Sequence, residues 1–257
     1  MVIAGLILLG LIAGILSGLF GIGGGMVMVP SLIAFFGLSI LDANATSLTA
    51  MLLPVGILGV ITYYKAGYIN IRNSLWISAG LLIGSFFGAE CAVLVKESVL
   101  AKFYAVLLFY IAFSYLDIPS CFKKEKKSLP PSDPSGHLNL WGLIVIGVAA
   151  GIIAGLFGKG GGIIIVPAMV KFFKYDTKAA AATSLAALQL PVGLPSVMVY
   201  AENGHLNILN AALIAGGIVF GALLGTKLAV NMPSRIFKKV YAVFLLVVAF
   251  YMAFKYA

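Results

Sequence analysis

Two glycine-rich runs carry the residues in this chain best suited to hold a ligand. Gly18-Leu19-Phe20-Gly21-Ile22-Gly23-Gly24-Gly25 returns 137 positions later as Gly155-Leu156-Phe157-Gly158-Lys159-Gly160-Gly161-Gly162. Gly23, Gly24 and Gly25, and again Gly160, Gly161 and Gly162, let main chain approach a ligand closely. The apolar segment after each run aims its first N–H groups at the same point. Two converging helix N-termini suit an anion. Lys159 replaces Ile22 in the second copy, and an ammonium between glycines is a candidate counter-ion; the alternative is a loop lysine reaching the aqueous edge. Thr46, Ser47, Thr183 and Ser184 offer hydroxyls to oxyanion oxygens, although such residues also satisfy helix backbone in lipid. Asn44 and Gln189 are further unpaired polar residues in or near the same segments. A lone glycine run would be read as helix packing; a doubled run, each copy before a short segment, favours a binding site.

Enzyme chemistry has little to work with. The two histidines fall in predicted loops, and no paired carboxylates or metal-ligand spacings occur, so no catalytic residue, metal or cofactor is expected. Cys91 and Cys121 have no redox or metal spacing. A dinucleotide fingerprint needs a βαβ context that is missing here, and no Walker loop is present for a primary pump.

The elements around the glycine runs must sit in lipid. Of 257 residues 62% are hydrophobic and 10% charged, where a soluble domain carries about 25% charge. The stretches 73–95 and 210–232 are each long enough to cross about 30 Å of hydrocarbon. The run 2–20 lacks the basic flank of a signal peptide and reads as a retained span. A net charge of +9 could suggest nucleic acid, but the basic residues sit in short loops between apolar runs, so no nucleic-acid partner is expected.

The glycine runs belong to a larger repeat. At the fixed offset of 137, the stretch Gly18 to Gly88 holds 31 identities in 71 positions. Pro30 maps onto Pro167, Thr46-Ser47-Leu48 onto Thr183-Ser184-Leu185, and Pro54-Val55-Gly56 onto Pro191-Val192-Gly193. Each unit reads as five hydrophobic segments: 2–20, 25–37, 43–64, 73–95 and 98–116, then 139–157, 162–173, 178–200, 208–230 and 236–256. The units are therefore 1–116 and 138–257. They are joined at 117–137 by a charged, then proline-rich linker that is solvated and that could touch anionic lipid.

An odd number of crossings inverts the second unit. On that model thirteen lysines and arginines collect on one side and four, Lys96, Lys102, Lys159 and Lys255, on the other. Treating the short second segment as a hairpin gives ten against seven, which is almost no bias. Positive charge stays cytoplasmic, so the linker is expected inside and both termini outside. The expected fold is an all-α integral membrane protein of ten segments in two inverted five-segment repeats, with broken or short second helices. About 13 residues after Gly25 cover only about 20 Å, so the glycine loop must dip into the membrane where protein surrounds it. Pro54, Pro191 and Pro195 should kink the third segments. Glu90 and Lys227 occupy equivalent positions, expected near opposite faces. Glu90 is a proton-relay candidate, with interfacial placement the plainer reading.

The paired Gly-x-Gly-Gly-Gly loops with Pro30 and Pro167 five residues on, the Ala-x-Ala-Thr-Ser runs at 43–47 and 180–184, and Tyr63 to Gly67 with Tyr200 to Gly204 resemble the sulfite exporter TauE/SafE family, also called the toluene-sulfonate uptake permeases. The resemblance covers nearly the whole chain; Lys159 departs from its commoner apolar residue. It implies transport of a sulfur-containing oxyanion, such as sulfite or an organosulfonate, across the bacterial inner membrane by secondary transport. The implied partners are that anion, membrane lipid and a coupling proton or ion. An anion channel is the competing reading. Discontinuous helices in inverted repeats suggest rocking of one repeat against the other around a midplane site.

Overall fold

The computed structural model describes residues 2–21, 23–53, 56–96, 98–100, 102–103, 106, 140–158, 161–233, 236 and 243. Lys159, Gly160, the linker 117–137 and most of the segments 98–116 and 236–256 lie outside the described residues. Ten helices have both ends among those described, residues 98–100 and 102–103 are helical as well, and no strand occurs among the described residues. The ten are α1 (Val2–Phe20), α2 (Gly25–Phe36), α3 (Ile40–Ala50), α4 (Ile57–Lys65), α5 (Ile71–Leu94), α6 (Leu140–Phe157), α7 (Gly162–Phe172), α8 (Thr177–Ala187), α9 (Leu194–Glu202) and α10 (Ile208–Asn231).

Four of them, α1, α5, α6 and α10, are long and apolar enough to cross a membrane, at 19, 24, 18 and 24 residues. Their starts and stops follow local chemistry. Asn70 and Asn207 cap α5 and α10 by accepting from Asn73 N and Asn210 N, and Ser39 and Asp176 do the same for α3 and α8. Each cap satisfies one of the N–H groups a helix start leaves over. Outward faces are apolar: Trp141 is 73% and Phe220 67% exposed, as suits a surface that meets lipid.

The long helices pack in two crossed pairs, α1 with α10 and α5 with α6. Glycine stripes let the backbones touch. Gly10, Gly14 and Gly18 of α1 face Gly217, Gly221 and Gly225 of α10, and a Cβ at Gly221 would lie 2.2 Å from Leu11 O. Positions 137 apart repeat the arrangement: Gly147, Gly151 and Gly155 of α6 face Gly80, Gly84 and Gly88 of α5. Small residues spaced by four are the usual means of close helix approach in lipid.

The third segments differ from expectation. Each is broken, not kinked: turns at 51–53 and at 56 separate α3 from α4, and turns at 188–193 separate α8 from α9. The second segments, α2 and α7, are short and continuous, with Pro30 and Pro167 inside them. The reason is visible at the second break, where Pro191 cannot donate to a helix ladder. Pro195 sits in the first turn of α9, a position that suits proline. Pro54 lies outside the described residues.

Candidate functional site

The described residues of both glycine loops are buried in protein, and each loop is seated on a third-segment helix from the other half of the chain. In the first loop Gly21 has φ +66, and a Cβ there would lie 2.1 Å from Ala181 O on α8. Ser184 Oγ donates to Gly21 O at 2.7 Å. In the second loop Gly158 has φ +63, and its Cβ would lie 2.3 Å from Asn44 Cα on α3. Asn44 Nδ2 donates to Leu156 O at 3.0 Å. Only glycine combines a left-handed φ with such contact. Tyr63 OH donates to Gly18 O at 3.0 Å and Tyr200 OH to Gly155 O at 2.8 Å. These two fully buried phenols secure the helix ends before the loops.

The polar residues singled out in the sequence divide into two kinds. Ser184 is consumed in holding the first loop. By contrast Asn44 Oδ1, Thr46 Oγ1, Ser47 Oγ, Thr183 Oγ1 and Gln189 Oε1 are buried side-chain oxygens with no hydrogen-bond partner. Thr46, Ser47 and Thr183 are 0% exposed. A buried polar atom left unpaired costs about 1–3 kcal/mol, so several in one set of helices call for a role. Asn44 and Ser47 lie one turn apart on α3, hence on one face. Gln189 lies in the break after α8, its Nε2 donating to Leu185 O at 3.0 Å, and a Cβ at Gly56, in the other break, would lie 2.6 Å from that Nε2. The two breaks are thus linked by contact to opposite halves.

A cavity of about 20 Å³ lies between the breaks, lined by Leu48, Met51, Ser85, Gly161, Leu188 and Gly193 among others. It has room for about one water. Gly161 of the second loop reaches it; the first-loop glycines Gly23, Gly24 and Gly25 are buried but do not line it. Gly162 opens α7 and is also buried. Glu90 and Lys227 are exposed on α5 and α10, away from these groups. Among the described residues no cluster of His, Cys, Asp and Glu could hold a metal.

Sequence reasoning missed a serine stripe. Ser74, Ser78 and Ser85 of α5 donate to the carbonyls of Thr183, Ala187 and Val192 at 3.1, 2.7 and 2.8 Å, and Ser196 Oγ donates to Ser85 O at 2.6 Å. Together they brace the broken helix α8–α9. The signal was available: three serines at spacings of four and seven on one face of an otherwise apolar helix. Polar ties near the helix ends were missed as well. Asp42 Oδ1 meets His205 Nδ1 at 2.8 Å. Lys178 Nζ donates to Val230 O at 3.0 Å and lies 5.8 Å from the Tyr68 ring. Asn73 Nδ2 donates to Tyr175 OH; burial pushes the Tyr175 phenol above its ordinary range, and that hydrogen bond opposes the push.

Residues 6–252 match the family model described as "Sulfite exporter TauE/SafE". The probable membrane transporter protein YunE of Bacillus subtilis is 29% identical over 245 residues, covering 90% of this chain and 89% of that protein. The probable membrane transporter protein MJ0441 of Methanocaldococcus jannaschii is 32% identical over 241 residues, covering 87% and 85%. YdhB of Bacillus subtilis, also named a probable membrane transporter protein, is 26% identical over 240 residues, covering 93% and 95%. No solved structure is a significant match.

Proposed function

The chain belongs to the sulfite exporter TauE/SafE family, and on that premise we propose that it is a secondary transporter of a small sulfur-containing oxyanion, sulfite or an organosulfonate, moving it outward across a bacterial inner membrane. The observation that carries the reading is the set of five buried, unpartnered oxygens on α3, on α8 and in the break after α8. A fold that spends free energy leaving hydroxyls unpaired beside broken helices is arranged for a ligand that pairs with them. Broken helices near the midplane of a duplicated membrane protein are where such sites lie.

The same reading takes the two units as inverted repeats of five crossings. Its support is that residues assigned to one face touch one another: Asp42 with His205 outside, and Lys178 with Val230 inside. Rocking of one repeat against the other would then open the cavity between the breaks to each side in turn. Lys159, next to Gly158 in the chain, is the proposed counter-ion of the substrate. A coupling proton or ion completes the scheme.

The test is flux of sulfite, sulfoacetate and toluenesulfonate through the purified protein in liposomes. Saturable flux of at least one, driven by an ion or proton gradient, is expected. Flux that never saturates would make the protein a channel, and no flux of any sulfur oxyanion would overturn the substrate class.

A further inference from the structure

The two units are tied to each other at two places by equivalent elements. A glycine turn follows α4 and another follows α9, with Gly67 at φ +76 and Gly204 at φ +80. After each turn the chain folds back, Tyr68 N donating to Tyr63 O at 3.1 Å and His205 N to Tyr200 O at 3.0 Å. Each of these side chains then reaches the first turn of the other unit's third-segment helix. The Tyr68 ring lies 5.8 Å from Lys178 Nζ of α8, and His205 Nδ1 lies 2.8 Å from Asp42 Oδ1 of α3.

The places correspond in the repeat, but their chemistry does not. His205 is the twin of Tyr68, whereas Asp42 and Lys178 have Ala179 and Leu41 as their twins. Lys178 Nζ also donates to Val230 O at 3.0 Å, near the end of α10. That tie therefore consists of an ammonium, a carbonyl and a phenol ring, none of which ordinarily titrates between about pH 5 and 8. Histidine does titrate there. The geometry of the histidine tie is fixed from the α3 side: Asp42 Oδ2 accepts from Ser39 Oγ at 2.8 Å, and Ser39 caps the helix, so Oδ1 is left for the imidazole. The His205 and Asp42 side chains are 25% and 39% exposed, so protons reach them. The other described charged groups on the proposed outer side are Glu202 at the end of α9, Glu90 of α5, Lys96 and Lys102, all exposed. Among the described residues Asp42 alone is within ion-pairing distance of His205.

A protonated His205 sets an imidazolium against the carboxylate. The neutral ring, in the tautomer with its proton on Nδ1, still donates to Asp42 but without the second charge, and the bond is weaker. Loss of that proton loosens this tie and leaves the Lys178 tie as it was. We infer that Asp42 and His205 form a pH-sensitive latch between the two units, holding them together at this end in acid and releasing them as the imidazole loses its proton. The inference rests on the rocking reading above and adds its regulation: a rise in pH on the His205 side favours opening to that side.

The experiment places spin labels on cysteines at Phe35 and Ala201, both exposed and one in each unit, with Cys91 and Cys121 replaced by serine. Distances between the labels are measured in the full chain in liposomes, without substrate, at about pH 5.5 and about pH 8. A longer-distance population should grow about two- to fivefold at the higher pH, the range open to a part-exposed ion pair. His205→Gln keeps a donor but cannot titrate, so its distances should be the same at both pH values. Should that variant fail to insert, Asp42→Asn serves instead and should show the longer population at both. Distances in the unmodified pair that ignore pH overturn the inference. A pH response that survives in His205→Gln or Asp42→Asn overturns it too, because another group then does the sensing. If the labels separate as expected while no sulfur oxyanion moves in the liposome assay above, the latch stands and the transport reading falls; if flux is found and the distances ignore pH, the latch falls alone.

Discussion

Thr183 and Ser184 are neighbours on α8, both fully buried, yet replacing them should move stability in opposite directions. Ser184 Oγ donates to Gly21 O at 2.7 Å. Ser184→Ala strands that carbonyl, and hydrogen bonds between transmembrane helices are worth about 0.6 kcal/mol on average with about 1.7 at the top. A loss near the upper end is expected, because Gly21 is pressed against Ala181 and has no room to find another donor. Thr183 Oγ1 has no partner. Thr183→Val keeps the shape and removes a buried unpaired hydroxyl, so stability should rise by about 1 kcal/mol. For a chain of this size 1 kcal/mol shifts Tm by about 2–4 °C, which places the two variants about 5–11 °C apart, one on either side of the parent. Thermal unfolding in detergent reads the shift and liposome flux reads function. Both variants should transport poorly, Ser184→Ala from a loosened loop and Thr183→Val from a missing ligand contact. If Thr183→Val unfolds as early as Ser184→Ala, its hydroxyl is a structural group. If it is stabilised and transports normally, the unpaired hydroxyl has no role in binding.

Two other perturbations address the loops and the orientation. Gly158 and Gly204 both have positive φ, +63 and +80, but a Cβ at Gly158 strikes Asn44 Cα whereas one at Gly204 meets nothing within 4 Å. Alanine at either should cost about 1–2 kcal/mol for the left-handed backbone, and at Gly158 about 1–3 kcal/mol more for overpacking; Tm values within 2 °C of each other would refute the packing argument. For orientation, with Cys91 and Cys121 replaced by serine, a cysteine at His205 should react with a membrane-impermeant thiol reagent in intact cells. A cysteine at Lys65 should react only after permeabilisation, and the reverse pattern would overturn the proposed sidedness.

Much of the fold was legible because lipid makes composition decisive. Long apolar runs became α1, α5, α6 and α10 with bounds within a few residues, and the asparagine caps of α5 and α10 stood where polar residues precede those runs. The breaks in the third segments were less legible. A proline in a membrane helix signals a kink and a break alike, and which of them forms depends on whether neighbouring helices supply donors and acceptors for the freed backbone groups. Those neighbours are distant in sequence: the carbonyls of Thr183, Ala187 and Val192 are met by serines more than 100 positions earlier.

The site was readable as a list of residue types but not as a division of labour, and the reason lies in how the repeat is broken. Ser47 and Ser184 are identical in the sequence and differ in the structure only because Asn44 took over the tie to the second loop while Ala181 could not take over the first. The bracing shows the same asymmetry. Ser74, Ser78 and Ser85 of α5 hold the α8–α9 break, whereas the equivalent positions of α10 are Ala211, Ala215 and Ala222, which have nothing to donate to the α3–α4 break. The second break thus has hydrogen bonds from serines that the alanines of α10 cannot supply to the first. Departures from the repeat therefore carry more information than the repeat itself. The duplicated residues build the frame, and Asn44, Gln189 and the three serines, none of them matched by its twin, set how the two halves differ.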